Sequence, residues 1–497
     1  MSLTPHLPVL QVVTPMLTAP LVVLLHVRGL PWAAATASSL FAFAIAVGLT
    51  QSVLDHGSII YLLGSWPAPY GIELRITAFS ALVLLIVTGA SSLTLLAGRC
   101  SIDAEIDHER QPLFYAAWLL GLAGLTGIVV AGDAFNIFVF MEIASLASYV
   151  LIAAGPNRRA LPAVFNYLIF GTIGATFYLI GVGLIYMLTG TLNLADMEAR
   201  IHQVGELRPI LVAAGFITLG LALKAAVFPL HAWLPMSYTY APHIVTAFLA
   251  ACSTKVALYV LLRFDFLVFQ QNLLAHDIQF ALFLMPLAVM AILIASGVAL
   301  FERNLKRMLA YSSIAQVGYI LLGASLVSVL GLTAGILHMF NHALAKGTLF
   351  LAVAALAMRF SGLRLEDFSG AGRQMPWTMG AFVLGGLSLI GVPGTAGFVS
   401  KWLLILAALD QGVLGIALIA TVLISSLMAV VYIWRIVEVA YFGGATGDAC
   451  RRVAEAPTWM LMVLWAAALA NVVFGINPSL PMMLARQAAS TLLQHLP

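Results

Sequence analysis

One lysine lies well inside a hydrophobic segment that is long enough to cross a membrane. The segment Gly215–Pro235 reads GFITLGLALKAAVFPLHAWLP, and Lys224 within it is followed by Pro229 and His231. A charged side chain in hydrocarbon is costly, so such residues face a protein interior or water and mark ion paths. Proline breaks the helix, which is tolerated at membrane depth only where the broken helix lines a cavity. Charge and helix break together predict a transport element.

A glutamate, Glu142, lies at a similar depth in the segment DAFNIFVFMEIASLASYVLIAAG. If this helix begins near Asp133, about nine residues at ~1.5 Å each place Glu142 near the centre of a ~30 Å hydrocarbon core. The same arithmetic places Lys224 and Lys255 near mid-membrane. A neighbouring carboxylate and ammonium favour each other's charged forms, which predicts a switch for passing protons. The alternatives are a structural ion pair and, for Lys255, a side chain that extends to the interface.

Three titratable residues share one face of a later helix, GILHMFNHALAKGTLFLAVAALAMRF. His338, His342 and Lys346 follow one another at i, i+4 and i+8. Neither an acidic third ligand nor an HExxH motif accompanies the histidines, so we expect no bound metal. Because imidazole titrates near pH ~6.5 through two nitrogens, the face predicts a proton relay. The alternative is a pair of histidines bonded to backbone, and we expect the helix to be interrupted at Lys346-Gly347.

A second lysine follows a second predicted helix break. In LSLIGVPGTAGFVSKWLLI, the break near Pro393 precedes Lys401. His231 and His243 flank the connection LPMSYTYAPH; they either join the relay or are solvated near the interface. The segment YSSIAQVGY gives its helix a hydroxyl and amide face, which is more typical of helix–helix contacts. The run IDAEIDHER is predicted to be a solvated loop.

The composition predicts that all these residues are held by membrane helices. The chain has 497 residues, of which 62% are hydrophobic and 9% charged. Soluble domains carry about 25% charged residues, so we expect an integral membrane protein and not a soluble enzyme. A spanning helix takes roughly 20 apolar residues, and the chain has about fourteen such segments. The first stretch, Leu7–Val27, lacks the flanks of a signal peptide and should remain as a helix.

Cofactor and nucleotide chemistry have little support in the sequence. Cys100, Cys252 and Cys450 form no CxxC pair, which argues against iron–sulfur clusters, structural zinc and disulfides. Neither GxGxxG nor GxxxxGK[ST] occurs, so nucleotide-driven pumping within this chain is not expected. The net charge of +3 is dispersed and does not indicate nucleic-acid binding. We therefore expect no cofactor.

The expected fold is an all-α polytopic membrane protein with both termini outside. Odd-numbered connections carry fourteen Lys and Arg residues and even-numbered ones four, so the odd connections are predicted to be cytoplasmic. The predicted helices are 7–27, 32–54, 77–98, 112–131, 133–154, 162–189, 209–238 (broken near 229), 242–264, 278–300, 308–328, 330–359 (interrupted), 376–408 (broken near 393), 412–442 and 457–484.

Two halves of the chain share a pattern. The seventh and twelfth segments, five helices apart, each combine a lysine with a proline break, which is typical of inverted-repeat transporters. The predicted units are residues 1–111 (helices 1–3), 112–277 (first repeat, helices 4–8), 278–445 (second, inverted repeat, helices 9–13) and 446–497 (helix 14).

Taken together, these motifs resemble a known family. The stretches DAFNIFVFMEIASLASYVLIAAG, LKAAVFPLHAWLPMSYTYAPHIVTAFLAACSTKVALYVLLR, ERNLKRMLAYSSIAQVGYI, HMFNHALAKGTLFL and GVPGTAGFVSKW resemble the antiporter-like proton-translocating subunits of respiratory complex I, membrane-bound hydrogenases and Mrp-type cation/proton antiporters. The resemblance runs from about residue 70 to 440. It implies two inverted five-helix repeats, each with a half-channel.

The resemblance also implies roles for single residues. Glu142 matches the family's fifth-helix glutamate and Lys224 its seventh-helix lysine. Lys255 matches the eighth-helix bridging position, and Lys401 the terminal residue of the twelfth helix. His338 or His342 matches the eleventh-helix histidine.

Length, Lys401 and the phrase YMLTGTLNLADM look most similar to the D-type member of Mrp antiporters. The expected function is therefore the proton-translocating component of a multisubunit Na⁺ or K⁺/proton antiporter in a bacterial cytoplasmic (inner) membrane. Its expected partners are other membrane subunits of that complex, protons, monovalent cations and lipid. The alternative is a membrane-arm subunit of complex I or of a hydrogenase; a third possibility is a subunit for bicarbonate or small-ion accumulation.

Overall fold

The computed structural model describes residues 4–25, 27–201, 203–204, 207–269, 283–360, 362–443 and 454–494. The protein is mostly helical, at 82%. Within these residues, ten helices are long and apolar enough to cross a membrane, and four shorter apolar helices accompany them. The prediction is confirmed for a mostly helical polytopic membrane protein, whereas the all-α part of it is corrected by a short two-stranded sheet. The predicted unit boundaries 277/278 and 445/446 lie outside the described residues.

The helices follow one another with short connections. Their bounds are α1 Leu7–Val23, α2 Leu30–His56, α3 Ala78–Glu105, α4 Gln111–Val130, α5 Ala134–Ala153, α6 Ala160–Thr189, α7 Leu194–Ile201, α8 Leu207–Lys224, α9 Trp233–Tyr240, α10 His243–Arg263, α11 Met285–Phe301, α12 Leu305–Ser325, α13 Val329–Ala357, α14 Pro376–Ile390, α15 Ala396–Leu409, α16 Gly412–Phe442, α17 Thr458–Ile476 and α18 Ser479–Leu492. Most spans are apolar on every side, as helices buried in protein or lipid must be.

Both predicted helix breaks are present. Helix α8 ends at Lys224 and α9 begins at Trp233, while α14 ends at Ile390 and α15 begins at Ala396. Each gap contains a proline, which lacks the backbone N–H that a continuous helix needs. In the second gap, Gly391 adopts a left-handed backbone with φ +90°, a conformation that glycine accepts without steric cost.

Three predictions about the elements are wrong. Helix α13 is continuous from Val329 to Ala357, so it is not interrupted at Lys346-Gly347; one glycine within a helix costs only about 1 kcal/mol. The predicted loop IDAEIDHER is partly the end of α3, with Ile102 and Ile106 buried. The predicted helix 457–484 is two helices, α17 and α18, separated at Asn477-Pro478 because the residue before proline disfavours helical geometry.

A two-stranded sheet, which the sequence analysis missed, joins α2 to α3. Strands β1 (Ile59–Leu62) and β2 (Glu73–Ile76) are antiparallel, with Ile59 opposite Ile76. Glu73 is buried in contacts with two other connections: its carbonyl accepts from Gly132 N at 2.8 Å, and its carboxylate accepts from Asn193 Nδ2 at 3.0 Å. The hairpin therefore closes one end of the helical bundle.

The connections at the opposite end form what we call the basic rim, the connections that carry Arg28, His108, Arg303 and Arg364. Arg28 donates to His108, and Leu365 N donates to Arg303 O at 2.9 Å. These are the arginine-rich odd-numbered connections of the sequence. The bundle thus has one basic rim and one rim closed by the hairpin.

Candidate functional site

An ion pair joins helices α5 and α8 in the middle of the bundle. Lys224 Nζ lies 3.2 Å from Glu142 Oε1 and donates at 2.7 Å to Ser145 Oγ, one turn further along α5. The Lys224 side chain is 7% exposed and that of Glu142 28%. Because Lys224 is the last residue of α8, the helix break leaves its ammonium free to reach across to α5. The sequence predicted this pairing of residues but not the contribution of Ser145.

A small cavity with apolar and polar walls lies between Lys224 and α10. It has a volume of about 40 Å³ and is lined by Lys224, Ser145, Tyr167 and Ser253, among others. Such a space holds water where polar groups can bond to it. On α10 the cavity reaches Ser253, two residues before Lys255, and Lys255 itself does not line it.

Lys255 is fully buried in α10 and bonds only to its own helix among the contacts of the described residues. Its Nζ donates at 2.5 Å to the carbonyl of Ala250. It acts electrostatically on His338, His342 and Lys346 of the neighbouring helix α13. Lys255 therefore interacts with the titratable face of α13 from the neighbouring helix α10.

The imidazole of His338 is held from both sides. Its Nε2 lies 2.8 Å from Gln316 Oε1, and its Nδ1 lies 2.8 Å from Ser400 Oγ. A carbonyl oxygen can only accept, so in the neutral ring Nε2 carries the proton and Nδ1 accepts from Ser400. These bonds link α12, α13 and α15 through one ring, with Asn341 Nδ2 donating to Ser400 at 3.1 Å.

His342 stacks beside His338, with ring centroids 6.3 Å apart. Both of its ring nitrogens are buried without a hydrogen-bond partner in the described part of the chain. Lys346, one turn further, donates to Leu309 O at 2.7 Å and to Ser312 Oγ. Buried polar atoms are normally satisfied by protein or ordered water, so the unpartnered imidazole marks a position for water in the row.

Lys401 fills the second helix break. Its Nζ donates to Leu389 O at 3.1 Å, to Ile390 O at 2.9 Å and to Ser426 Oγ at 3.1 Å. The two carbonyls end α14 and have no helical donor because the helix stops there. The ammonium also lies 4.8 Å from the centroid of the Tyr319 ring, a favourable cation–π contact. Lys401 also acts electrostatically on His338.

The structure thus brings most of the predicted site residues into one row. The row has two parts on contacting helices: the Glu142–Lys224 ion pair, and a group of electrostatically interacting side chains, which are Lys255, Lys346, His342, His338 and Lys401. Two predicted members lie beside this row. His231 stacks on Phe228 at 5.1 Å, and the backbone N–H of His243 donates to the Glu105 carboxylate.

The chain is similar to membrane subunits of known complexes. Residues 131–428 match the family described as NADH:quinone oxidoreductase/Mrp antiporter, TM. The N subunit of the NADH-quinone oxidoreductase of Desulforudis audaxviator (strain MP104C) is 41% identical over 462 residues, which cover 92% of this chain and 90% of that protein. The D subunit of the Na(+)/H(+) antiporter of Bacillus subtilis (strain 168) is 31% identical over 464 residues, covering 92% of this chain and 91% of the relative.

A solved structure shares the whole architecture. A chain of the membrane-bound sulfane sulfur reductase, an archaeal respiratory membrane complex, superposes with a TM-score of 0.89 at 33% identity. The match covers 98% of this chain and 97% of the other. The similar proteins therefore include subunits of both redox complexes and cation antiporters.

Proposed function

Because the chain belongs to the NADH:quinone oxidoreductase/Mrp antiporter transmembrane family, we propose that its row of buried lysines and histidines moves protons along the middle of the membrane. The family membership confirms the resemblance inferred from the sequence motifs. The observation that carries the proposal is the set of buried titratable groups on contacting helices, from the Glu142–Lys224 pair to Lys255, the histidines of α13 and Lys401.

In this mechanism the ion pair sets the charge of the first lysine. A proton that arrives at Lys224 converts the neutral amine into an ammonium, which the Glu142 carboxylate stabilises. If Glu142 is drawn away or neutralised, the Lys224 proton is no longer held and passes to Lys255 on the neighbouring helix α10. The added charge at Lys255 then displaces a proton from the histidines toward Lys401, because like charges in a low-dielectric interior repel strongly.

The proposed architecture is fourteen spans with two inverted five-helix units. The two lysine-bearing breaks would then be equivalent positions of the two units, with Lys224 serving one half-channel and Lys401 the other. The basic rim would face the bacterial cytoplasm, with both termini on the opposite side, as the loop charges predict.

For the complex that contains it, we propose a D-type component of an Mrp-like Na⁺ or K⁺/proton antiporter. Lys401 and the 31% identity with the Bacillus antiporter protein over 92% of this chain support this assignment. The cation would be handled together with partner membrane subunits.

A second candidate function is supported by a specific observation. The higher identity, 41%, is with the N subunit of an NADH-quinone oxidoreductase, which favours a place in a membrane arm powered by electron transfer in a partner. The proton row would be the same, but a redox substrate would replace the cation gradient as the driving force. The set of proteins in the purified native complex separates the two: small antiporter subunits support the first, and hydrogenase or quinone-reductase subunits support the second.

The mechanism itself is tested by neutralising Lys224 in the whole complex. In membrane vesicles, Lys224→Ala should lower the rate of ΔpH formation by at least ~100-fold, the range typical of a removed proton-transfer group. The control is Arg208→Ala, an exposed residue in the first turn of the same helix, which should keep the wild-type rate. Full activity of the Lys224→Ala complex would contradict the mechanism.

A further inference from the structure

A second group of charged side chains meets at the basic rim. Glu105 ends α3, His243 begins α10 and Lys306 lies in the first turn of α12. The Glu105 carboxylate accepts from the backbone N–H of His243 at 3.1 and 3.2 Å and from Ser101 Oγ at 2.9 Å. We call Glu105, His243 and Lys306 the rim triad.

Lys306 also contacts the segment that leads into α10, where Glu105 accepts from His243. Its Nζ donates at 2.6 Å to the carbonyl of Ala241, two residues before His243. The ammonium acts electrostatically on both Glu105 and His243. Lys306 is 1% exposed, whereas Glu105 is partly exposed. A partly exposed carboxylate and a buried ammonium thus contact the same short segment, 241–243.

The triad also contains an unpartnered nitrogen. His243 Nδ1 is buried and has no hydrogen-bond partner in the described ranges. A buried polar atom without a partner has a desolvation cost that structures avoid unless it has a use or meets a water molecule. The nitrogen lies where α3, α10 and α12 bring an acid and a base together at the rim.

One face of α12 connects the triad to the proposed proton row. At about 100° per residue, Lys306, Leu309, Ser312 and Gln316 fall on the same side of the helix. Leu309 O and Ser312 Oγ accept from Lys346, and Gln316 Oε1 contacts His338. At ~1.5 Å per residue, Ser312 lies ~9 Å and Gln316 ~15 Å beyond Lys306, so the face spans half of a ~30 Å core.

We propose that Glu105, His243 and Lys306 form a gated proton-input site that feeds Lys346 and His338 along this face of α12. The inference rests on the proposed function, because it needs a row that consumes protons at mid-membrane. Under this proposal, protons enter the row at a second point, separate from the Lys224 ion pair. The polar side of α12 then carries protons and does not serve only in helix packing.

The transfer balances as an exchange within the triad. Glu105 takes a proton from water at the rim. Lys306 gives one proton from Nζ to water on the α12 face, from which neutral Lys346 takes a proton. The neutral Lys306 amine then accepts the proton held by Glu105 through His243 Nδ1 or an intervening water, which restores the carboxylate and the ammonium. While Glu105 is ionised it holds the Lys306 charge in place, so the site passes protons only as they arrive.

The test uses Glu105→Gln, Lys306→Gln and the double variant in the whole complex. Each single variant should slow ΔpH formation in vesicles at least tenfold at a wild-type content of assembled complex, and the double variant should be no faster. Glu105→Asp, which keeps the acid, should recover most of the rate. A structural ion pair gives another pattern: the double variant, free of uncompensated charge, then regains the wild-type rate, which would overturn the proposal.

An exposed ion pair on the same rim is the matched control. Arg303 and Glu366 lie 3.8 Å apart with side chains 78% and 70% exposed, and Arg303→Gln or Glu366→Gln should leave the rate unchanged. If the single triad variants do not assemble, the double variant decides: a slow complex supports the input site and a wild-type rate refutes it. Lys224→Ala is measured in parallel. Loss with Lys224→Ala but not with the triad variants would reject this inference alone, while full activity with Lys224→Ala would reject the proposed function.

Discussion

Lys224 is held by two acceptors of different kinds, the Glu142 carboxylate at 3.2 Å and the Ser145 hydroxyl at 2.7 Å. The carboxylate supplies charge, whereas the hydroxyl fixes where the ammonium sits. A positioned donor is needed because proton transfer requires hydrogen-bond contact with the next carrier. The two acceptors therefore contribute separately, one to the energy of the charged state and one to its geometry.

Replacing Ser145 by alanine should slow proton transfer without removing it. A hydrogen bond to a charged group contributes about 1.5–3 kcal/mol, and ~1.4 kcal/mol corresponds to a tenfold change in rate. We expect Ser145→Ala to lower the rate of ΔpH formation roughly tenfold while Glu142 still pairs with Lys224. The matched control is Thr50→Ala in α2. Both hydroxyls donate at 2.7 Å to the carbonyl four residues earlier, but only Ser145 accepts from a lysine. Equal effects of the two changes would contradict a positioning role.

At this scale the sequence predicted charges better than neutral partners. Glu142 and Lys224 were identified because a charge within an apolar segment is conspicuous, and their bond is present. Ser145, Ser400 and Asn341 are ordinary membrane-helix residues, and only tertiary packing shows that they touch Lys224 or His338. The rim triad was missed for the opposite reason: Glu105 and Lys306 lie in polar stretches where charges are expected to be solvated.

Among the elements, the break between α14 and α15 is arranged around a lysine. Gly391 has φ +90°, and a Cβ added there would lie 2.9 Å from Cδ of Lys401. Gly394 in the same break has φ +86° and would meet nothing within 4 Å. Both glycines have a positive φ, so replacing either one strains the backbone of the break. Only a side chain at Gly391 would also displace Lys401.

We therefore expect Gly391→Ala to damage transport more than Gly394→Ala does. Each change forces a side chain into a left-handed conformation at a cost of about 1–2 kcal/mol, so both should lower the melting temperature of the complex to a similar extent. Gly391→Ala must also move Lys401 away from the α14 carbonyls, and its rate of ΔpH formation should fall at least tenfold below that of Gly394→Ala. Similar rates for the two variants at similar stability would show that the position of Lys401 is not critical.

The sequence predicted the two breaks that combine a proline with a buried lysine, but it missed the break at Asn477-Pro478 and the elements that side chains determine. Pro229 and Pro393 indicate the two breaks because the missing N–H is a local property. Lys346-Gly347 does not interrupt α13, because Leu309 O and Ser312 on the neighbouring helix satisfy the ammonium and the backbone has no need to open. The hairpin of β1 and β2 depends on contacts with distant connections through Glu73, which no local pattern reveals.

Over the whole molecule, one side of α5 is open although it carries a mid-membrane carboxylate. Phe135, Val139, Leu146 and Val150 are exposed at helical spacing, and the Glu142 side chain between them is 28% exposed. An ionised group facing lipid costs several kcal/mol. Similar chains are parts of multisubunit membrane complexes, and a neighbouring membrane protein that covers α5 would remove this cost.

Carbodiimide labelling should show whether a neighbouring protein covers α5 in the complex. Hydrophobic carbodiimides modify carboxyl groups that are accessible from the membrane, so Glu142 of the isolated chain should be labelled several-fold more than Glu142 in the intact complex. Mass spectrometry of the peptide that contains residue 142 measures the difference, and Glu142→Gln provides the unlabelled control. Equal labelling in both preparations would show that no neighbouring protein covers this side of α5.

Lys401 makes three hydrogen bonds, to Leu389 O, Ile390 O and Ser426 Oγ, and an ammonium has three N–H donors while a neutral amine has two. When the proton leaves, two donors remain for three acceptors, so one of the two α14 carbonyls or Ser426 Oγ must lose its donor. Proton occupancy and the shape of this helix end are therefore thermodynamically linked, and the linkage is reciprocal. A partner that bends α14 would change the affinity of Lys401 for its proton, just as the passing proton changes the bend. The break would then convert mechanical work at an interface between proteins into proton release.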